Sequence, residues 1–225
     1  MTKKIVILGT GGNCFDILDV LNDTNATRGE LVYDCIGLLD DDRAKWGKEV
    51  FGVKVLGPLA SAAELDDCNF VFGIGSERNF WKRGEIVARA QVADERFETI
   101  VHPTASVSRT AELGQGTVVF PNVTITTSVK IGRHVLILPN CVVSHNDVIG
   151  DFTCIAGGVC ISGEVEIGRS CYLGTNASIK PRVKIADECM VGMGSVVLED
   201  IPANSVVAGI PARVLRATRA AEGKS

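Results

Sequence analysis

The sequence predicts a small Rossmann-like α/β domain followed by a parallel β-helix, and three observations carry that reading. The first 100 residues alternate short apolar runs with helical stretches, the pattern of βαβ units around a parallel sheet. From Val107 onward, aliphatic residues recur at every sixth position without a break. Glycine supplies 24 of the 225 residues while aromatic residues make up 5%, a composition that suits tight corners around an interior with no room for rings.

In order along the chain, Lys4 to Leu8 reads as a short apolar strand, and Gly9-Thr10-Gly11-Gly12 turns it into a helix carrying Ile17, Leu18 and Leu21. Leu31 to Leu39 and Asn69 to Ile74 read as further strands, Phe80 to Val92 as a helix and Phe97 to Val101 as a closing strand. Residues 1–101 are thus the expected N-terminal domain, 102–216 the β-helix, and 217–225 a small polar tail that frays.

The β-helix rests on periodicity. Stepping by six from Val107 through Leu113, Val119, Ile125 and onward to Val191 and Val197 meets sixteen aliphatic residues in succession. The position four later is small or β-branched, as in Thr117, Val135, Cys141, Cys171, Cys189 and Ser195. Both positions point inward if three hexads make one triangular coil, so that residues 18 apart stack at the ~4.8 Å spacing of neighbouring strands. Glycine often follows the aliphatic residue, as at Gly132, Gly150, Gly168 and Gly192, where a corner turns most easily without a β-carbon.

Composition excludes several classes of function. With 23 Lys+Arg against 27 Asp+Glu and no basic run, the chain carries no electrostatic footprint for nucleic acid or an anionic membrane. No apolar stretch approaches the ~20 residues that span a bilayer. None of the eight cysteines forms a Cys-x-x-Cys pair, so the thiols read as small, buried and reduced, as in a cytoplasmic protein. The three histidines, His102, His134 and His145, lack the spacing of a zinc site, and no metal is expected.

Some residues carry chemistry. His145 sits at a hexad corner, from which side chains project outward; it is either a general base or a solvated surface histidine. Eighteen residues on, in the same column, Gly163 leaves a gap above the imidazole with a backbone N–H beside it, unless it is only a corner glycine. Asp147 falls in the small inward column, as a partner for His145 or as a hydrogen-bonded internal carboxylate. In the N-terminal domain the dinucleotide fingerprint fails, because Cys14 stands where the third glycine belongs. The glycine-rich turn still presents N–H groups to a phosphate at a helix N-terminus. Asp40 and Asp41 end the second strand as acceptors for a base N–H or ribose hydroxyl, or as a solvated acidic turn. Gly73-Ile74-Gly75-Ser76 ends another strand at the same sheet edge, where ligands of parallel sheets collect.

With these marks, together with Gly37-Leu-Leu-Asp-Asp-Asp-Arg-Ala-Lys-Trp-Gly47, Ile100-Val-His-Pro-Thr104, Ser144-His145 and Ala208-Gly-Ile-Pro-Ala-Arg213, the sequence resembles the bacterial sugar O-/N-acyltransferases built on a hexapeptide-repeat β-helix. That group contains sialic acid O-acetyltransferases and N-acetyltransferases of UDP-4-amino-sugars and GDP-perosamine. The resemblance implies a left-handed parallel β-helix, a homotrimer with active sites between subunits, and acetyl-CoA as donor. It implies His145 as general base, with Asn146 and Asp147 following it where relatives often have an acid directly after the histidine. It places Gly163 against the donor carbonyl, Cys154 where some relatives carry a second histidine, and Thr175, Gly192 and Arg213 along the donor. It assigns Gly11, Gly12, Asn13, Asp40, Asp41 and Gly75 to a nucleotide sugar. The implied activity is acetyl transfer to the amino group of a nucleotide-linked amino sugar. O-acetylation of a sugar such as sialic acid, or a non-catalytic sugar-nucleotide-binding role on the same scaffold, are the alternatives.

Overall fold

A computed structural model describes residues 2–218. Strand β1 (Lys3–Leu8) leads into helix α1 (Gly12–Arg28), which ends at Gly29 in the left-handed conformation and returns as β2 (Tyr33–Leu39). A hairpin of β3 (Glu49–Val50) and β4 (Val53–Gly57) follows, then β5 (Asn69–Phe72) and the short helix α2 (Arg83–Ala88). The sheet order is β3-β4-β2-β1-β5, with β1 flanked by β2 and β5 and parallel to both. Its Ile5–Leu8 run is buried on both faces, which is why it reads as continuous rather than alternating hydrophobicity.

Several boundaries move. The expected helix over Phe80–Val92 is a 3₁₀ turn at Phe80–Lys82 joined to α2, and it stops because Gln91 takes a positive φ of 50°. The expected strand from Leu31 starts at Tyr33, and the strand to Ile74 ends at Phe72. The β3–β4 hairpin, turned by Phe51 and Gly52 at φ 50° and 75°, is an addition to the sequence reading. It completes an edge of the sheet.

From Ile100 the chain forms seventeen two-residue strands at six-residue intervals, from β6 (Ile100–Val101) to β22 (Val196–Val197). They stack in parallel between residues 18 apart, as Ile125 does on Val107 and on Val143, into three sheets. Fourteen of the sixteen aliphatic hexad residues are buried in one core with the small column; Val107 and Leu113, in the first coil, are only partly covered. At the far end, β23 (Ser205–Gly209) extends one sheet beside Met190–Val191 and turns back as antiparallel β24 (Ala212–Ala217). The hairpin lays Val207 over the last coil. Of the tail expected to fray from Ala217, the first two residues are ordered: Ala217 pairs with Ser205, and Thr218 is buried. Residues 219–225 of that expectation lie outside the described residues.

The corners work differently from the sequence reading. A left-handed residue recurs every six positions, three before each aliphatic residue, and it is mostly not glycine: Asn122, Ser128, His134, Asn140, Asn146 and Phe152 all have φ between 54° and 63°. The glycines after the aliphatic residues answer to a different constraint. A β-carbon at Gly132 would stand 2.7 Å from the Asp151 nitrogen, and one at Gly150 would stand 2.5 Å from the Arg169 nitrogen. They permit the coils to approach rather than the chain to turn.

The three faces of the prism differ in their outward residues. One carries Glu112, Lys130, Val148, Glu166 and Lys184; a second carries Ser106, Thr124, Val142, Cys160, Ser178 and Val196. The third carries Val118, Leu136, Cys154, Tyr172 and Met190. On this third face Val118, Leu136 and Cys154 are buried in one cluster with Ile5, Ile7, Cys14 and Ile17 of the N-terminal sheet and helix. It is the docking face of the N-terminal domain. The aromatic residues gather at this seam instead of inside the prism: His134 stacks on Phe152 and meets Phe72 and Phe97 edge-on. Burial there, with Arg83 nearby, lowers the His134 pKa to about 4. Cys141, Cys171 and Cys189 fill the inward column as expected, whereas Cys160, in an outward position, is exposed.

Candidate active site

Two cavities and one corner hold the candidate residues. The first cavity, about 390 Å³, is lined by Thr10, Gly11, Gly12, Asn13, Asp40 and Gly73 to Ser76, with Asn79. It lies at the ends of β1, β2 and β5, where α1 begins. Gly11 caps α1 with no side-chain hydrogen bond, and although its carbonyl accepts from the Cys14 N–H at 2.9 Å, no side-chain oxygen caps the first turn of this 17-residue helix beside the cavity. The Asn13 amide donates to the Gly75 carbonyl at 2.9 Å, tying the helix start to the loop after β5. Cys14, which breaks the glycine fingerprint, is buried; a β-carbon on Gly73 would lie 2.6 Å from its sulfur. Burial pushes its thiol up to about 12, so it serves as packing.

Asp40 is the carboxylate of this cavity. Its Oδ2 accepts from the Thr10 hydroxyl and from Lys45 Nζ at 3.0 Å, and its Oδ1 accepts from the Asp42 N–H at 2.9 Å. Partial burial would raise its pKa, but these hydrogen bonds and the Lys45 charge outweigh it and hold the carboxyl below the ordinary range. Sequence reading missed Thr10, Lys45, Ser76 and Asn79, all polar and adjacent to the glycine motifs. Asp41, by contrast, is turned away. Its Oδ1 accepts from the Leu59 N–H at 3.0 Å and its Oδ2 pairs with Arg89 at 3.1 Å, so it braces the turn after β4.

The corner carries His145 and Gly163 in one column. A β-carbon on Gly163 would stand 2.5 Å from both Cε1 and Nε2 of His145, so the imidazole lies flat over the glycine backbone of the next coil. His145 Nδ1 lies 3.1 Å from Asn146 Oδ1; an amide oxygen only accepts, so in this pairing Nδ1–H is the donor. The side chain of Asp147 goes inward. It is fully buried, accepts from the Val165 N–H at 2.8 Å and leaves Oδ2 without a partner. Of the two sequence readings for Asp147, the structure thus has the internal carboxylate, and Asn146 is the ring's partner.

Burial raises the Asp147 pKa to about 7, against hydrogen bonds from the backbone of Val165 and Ser144 and the proximity of His145. A carboxyl that holds its proton more tightly folded than unfolded favours the fold below about pH 4, and that contribution is lost as the pH rises through about 7. Asp147→Asn is therefore expected to match wild type in stability near pH 4 and to exceed it by about 4 kcal/mol at pH 8. Denaturant unfolding at the two pH values measures this.

The other residues expected along the donor are dispersed. Cys154 is buried at the seam, against Gly75 and Arg83, on a different face of its own prism from His145; the domain docking, rather than open space for a ligand, surrounds it. Thr175 is exposed and its carbonyl accepts from the Gly194 N–H, Gly192 donates to the Val207 carbonyl, and Arg213 is exposed at the start of β24. A second cavity of about 410 Å³ is lined by Glu77, Arg78, Phe80, Trp81, Met190, Val206, Arg216 and Thr218. Among the described residues no group of His, Cys, Asp and Glu is placed to hold a metal ion, and no helix is long and apolar enough to cross a membrane.

Comparison with known proteins agrees with this architecture. Residues 4–89 match the PglD N-terminal domain family. A UDP-N-acetylbacillosamine N-acetyltransferase of Bacillus subtilis is 29% identical over 121 residues, which cover 51% of this chain and 50% of that protein. PerB from Caulobacter crescentus, solved in complex with CoA and GDP-perosamine, superposes with a TM-score of 0.81 at 28% identity, covering 96% of this chain and 99% of that one. The acetyltransferase domain of PglB from Neisseria gonorrhoeae, in complex with acetyl coenzyme A, gives 0.80 at 27% identity over 96% and 100%. Residues 4–89 thus match the PglD N-terminal domain family, and over nearly its whole length the chain is similar in fold to bacterial sugar N-acetyltransferases.

Proposed function

We propose that the protein is an acetyl-CoA-dependent N-acetyltransferase acting on the amino group of a nucleotide-linked amino sugar. The observation that carries this is the pairing of His145, an exposed side chain at a coil corner, with Gly163 directly beneath its ring, in a chain whose fold matches a structure solved with CoA and GDP-perosamine. The acceptor nucleotide occupies the cavity of Gly11, Gly12, Asn13, Asp40 and Gly75, its phosphates at the start of α1. The donor lies between β-helices of a homotrimer. Val142 and Val148, partly exposed on either side of the His145 corner, support that packing, since a neighbouring prism would cover both. In the second cavity, Trp81 and Phe80 suit the adenine of CoA, and Arg78 and Arg216 suit its phosphates.

The reaction needs no acyl-enzyme. The acceptor ammonium first gives up one proton to solvent. The free amine then attacks the thioester carbon while His145 Nε2 takes the second proton; the carbon–nitrogen bond forms, the carbon–sulfur bond breaks, and the proton passes to the departing CoA thiolate. The Gly163 backbone borders the carbonyl oxygen as charge develops on it. Asn146 orients the ring through a neutral oxygen where an acid would add charge. We place the protein in the cytoplasm, in keeping with eight free cysteines.

The test is release of free thiol from acetyl-CoA across a panel of nucleotide-linked amino sugars and sialic acid. Turnover on an amino sugar supports the proposal, and turnover on sialic acid alone moves the protein to O-acetylation. Within the acceptor cavity, Asp40→Asn is expected to raise the acceptor KM about tenfold with kcat little changed, because it frees Lys45 and Thr10 from their carboxylate. Steady-state kinetics at varied acceptor concentration reads that split.

A further inference from the structure

Among the described residues Arg83 is the largest fully buried side chain and has no carboxylate partner. Its bonds go to carbonyls: Nε donates to Ile74 at 2.8 Å, and Nη1 donates to Phe152 at 2.6 Å and Thr153 at 3.3 Å. The guanidinium lies over the Phe72 ring at 5.0 Å, and Nη2 is buried with no partner. A buried charge without a counter-ion is a costly arrangement that an apolar residue would avoid. What the charge achieves here is a bridge. Ile74 belongs to the loop that lines the acceptor cavity, whereas Phe152 and Thr153 belong to the β-helix, some 70 residues away.

The same loop is held from its other side. Asn13, in the first turn of α1, grips the carbonyl of Gly75, the next residue. Consecutive carbonyls of one loop therefore point to two different bodies, one to the phosphate-facing helix start and one, through Arg83, to the β-helix. There is no slack at the junction. A β-carbon on Gly75 would stand 2.6 Å from Cys154 Sγ, 3.1 Å from Arg83 Nε and 3.2 Å from Leu136 Cδ1.

We propose that Arg83 is a positioning residue that sets the acceptor loop, Gly73 to Ser76, in register with the β-helix that carries the acetyl-transfer corner. This rests on the reading of that loop as part of the acceptor site. A planar guanidinium reaches three carbonyls in fixed directions, which an ammonium on a flexible stem does not. Loss of the bridge leaves both pockets in existence but misaligned, and a misplacement of about 1 Å is enough to cost roughly 100-fold in rate.

The experiment compares full-length wild type with Arg83→Met and Arg83→Lys. It records amide hydrogen exchange, the affinities for UDP, GDP and CoA, and kcat at saturating substrates. In Arg83→Met, exchange is expected to quicken at residues 73–79 while the β-helix stays protected. Nucleotide and CoA affinities are expected to stay within threefold while kcat falls at least 30-fold, and Arg83→Lys recovers part of that loss. Unchanged exchange at 73–79, or kcat within twofold of wild type, overturns the proposal, and so does a parallel loss of protection throughout the chain. A wild type that acetylates no amino-sugar nucleotide defeats the functional reading, while the exchange data still judge the bridge. Should Arg83→Met fail to fold, Gly75→Ala forces the same junction apart. Its kcat is expected to fall and to be restored in part by adding Cys154→Ala, which removes the obstructing sulfur; no recovery overturns the proposal.

Discussion

Replacing His145 by alanine is expected to lower kcat by about 10²- to 10⁴-fold, the usual contribution of a positioned general base, with CoA and acceptor affinities retained. The side chain is exposed at a corner, its one hydrogen bond is to the adjacent Asn146, and no core packing depends on it. The melting temperature is therefore expected to stay within about 2 °C of wild type. Initial rates of thiol release, with calorimetric binding of CoA, separate the chemical step from binding. Undiminished turnover in the variant would remove His145 from the mechanism and leave the scaffold without a base at this corner. A wild type that binds both ligands without turnover would favour the sugar-nucleotide-binding alternative.

Gly163→Ala is expected to lower kcat by about 10- to 100-fold without altering any group that takes part in proton transfer. The new β-carbon meets His145 Cε1 and Nε2 at 2.5 Å, inside van der Waals contact, so the imidazole has to swing off the coil beneath it. Because the obstructed atoms are the free end of an exposed side chain, the displacement costs little stability. Because those atoms include the proposed base, it costs rate. Thermal melts are expected to match wild type while kcat falls. A stability loss of several kcal/mol with kcat preserved would instead make Gly163 a purely structural corner.

Much of the β-helix was legible from one rule. Interior positions of a narrow prism admit only aliphatic and small side chains, so the period of six shows directly in residues such as Ile125, Val143 and Ile161. His145 and Gly163 were legible for the same reason, since a column of period 18 converts sequence separation into contact. The glycine turn and Asp40 line one cavity, as the gathering of strand ends at one edge of a parallel sheet leads one to expect.

The failures share a cause. Asp40 and Asp41 are adjacent carboxylates with the same composition around them, yet one enters the cavity and the other braces Leu59 and Arg89. That choice is made by the direction of the chain as it leaves β2. Cys154 was placed by likeness beside a donor; its surroundings are set by the N-terminal domain that covers it. The corner glycines were assigned to turning, when the coil above them was the constraint. One signal was available and unused. The outward residues Val118, Leu136, Cys154, Tyr172 and Met190, spaced by 18, are apolar on a single face, which marks it as the docking surface.

The sequence by itself determined the solenoid, its period, and the column that stacks His145 on Gly163, because each coil repeats the same local environment and neighbours are separated by a fixed count. Only the tertiary structure decided how the N-terminal domain sits on that solenoid. Arg83, Gly75 and Cys154 meet from segments some 70 residues apart, and no periodicity links them. Contacts between a repeating body and a non-repeating one depend on shape and on which buried groups find partners, and those are properties of the assembled fold.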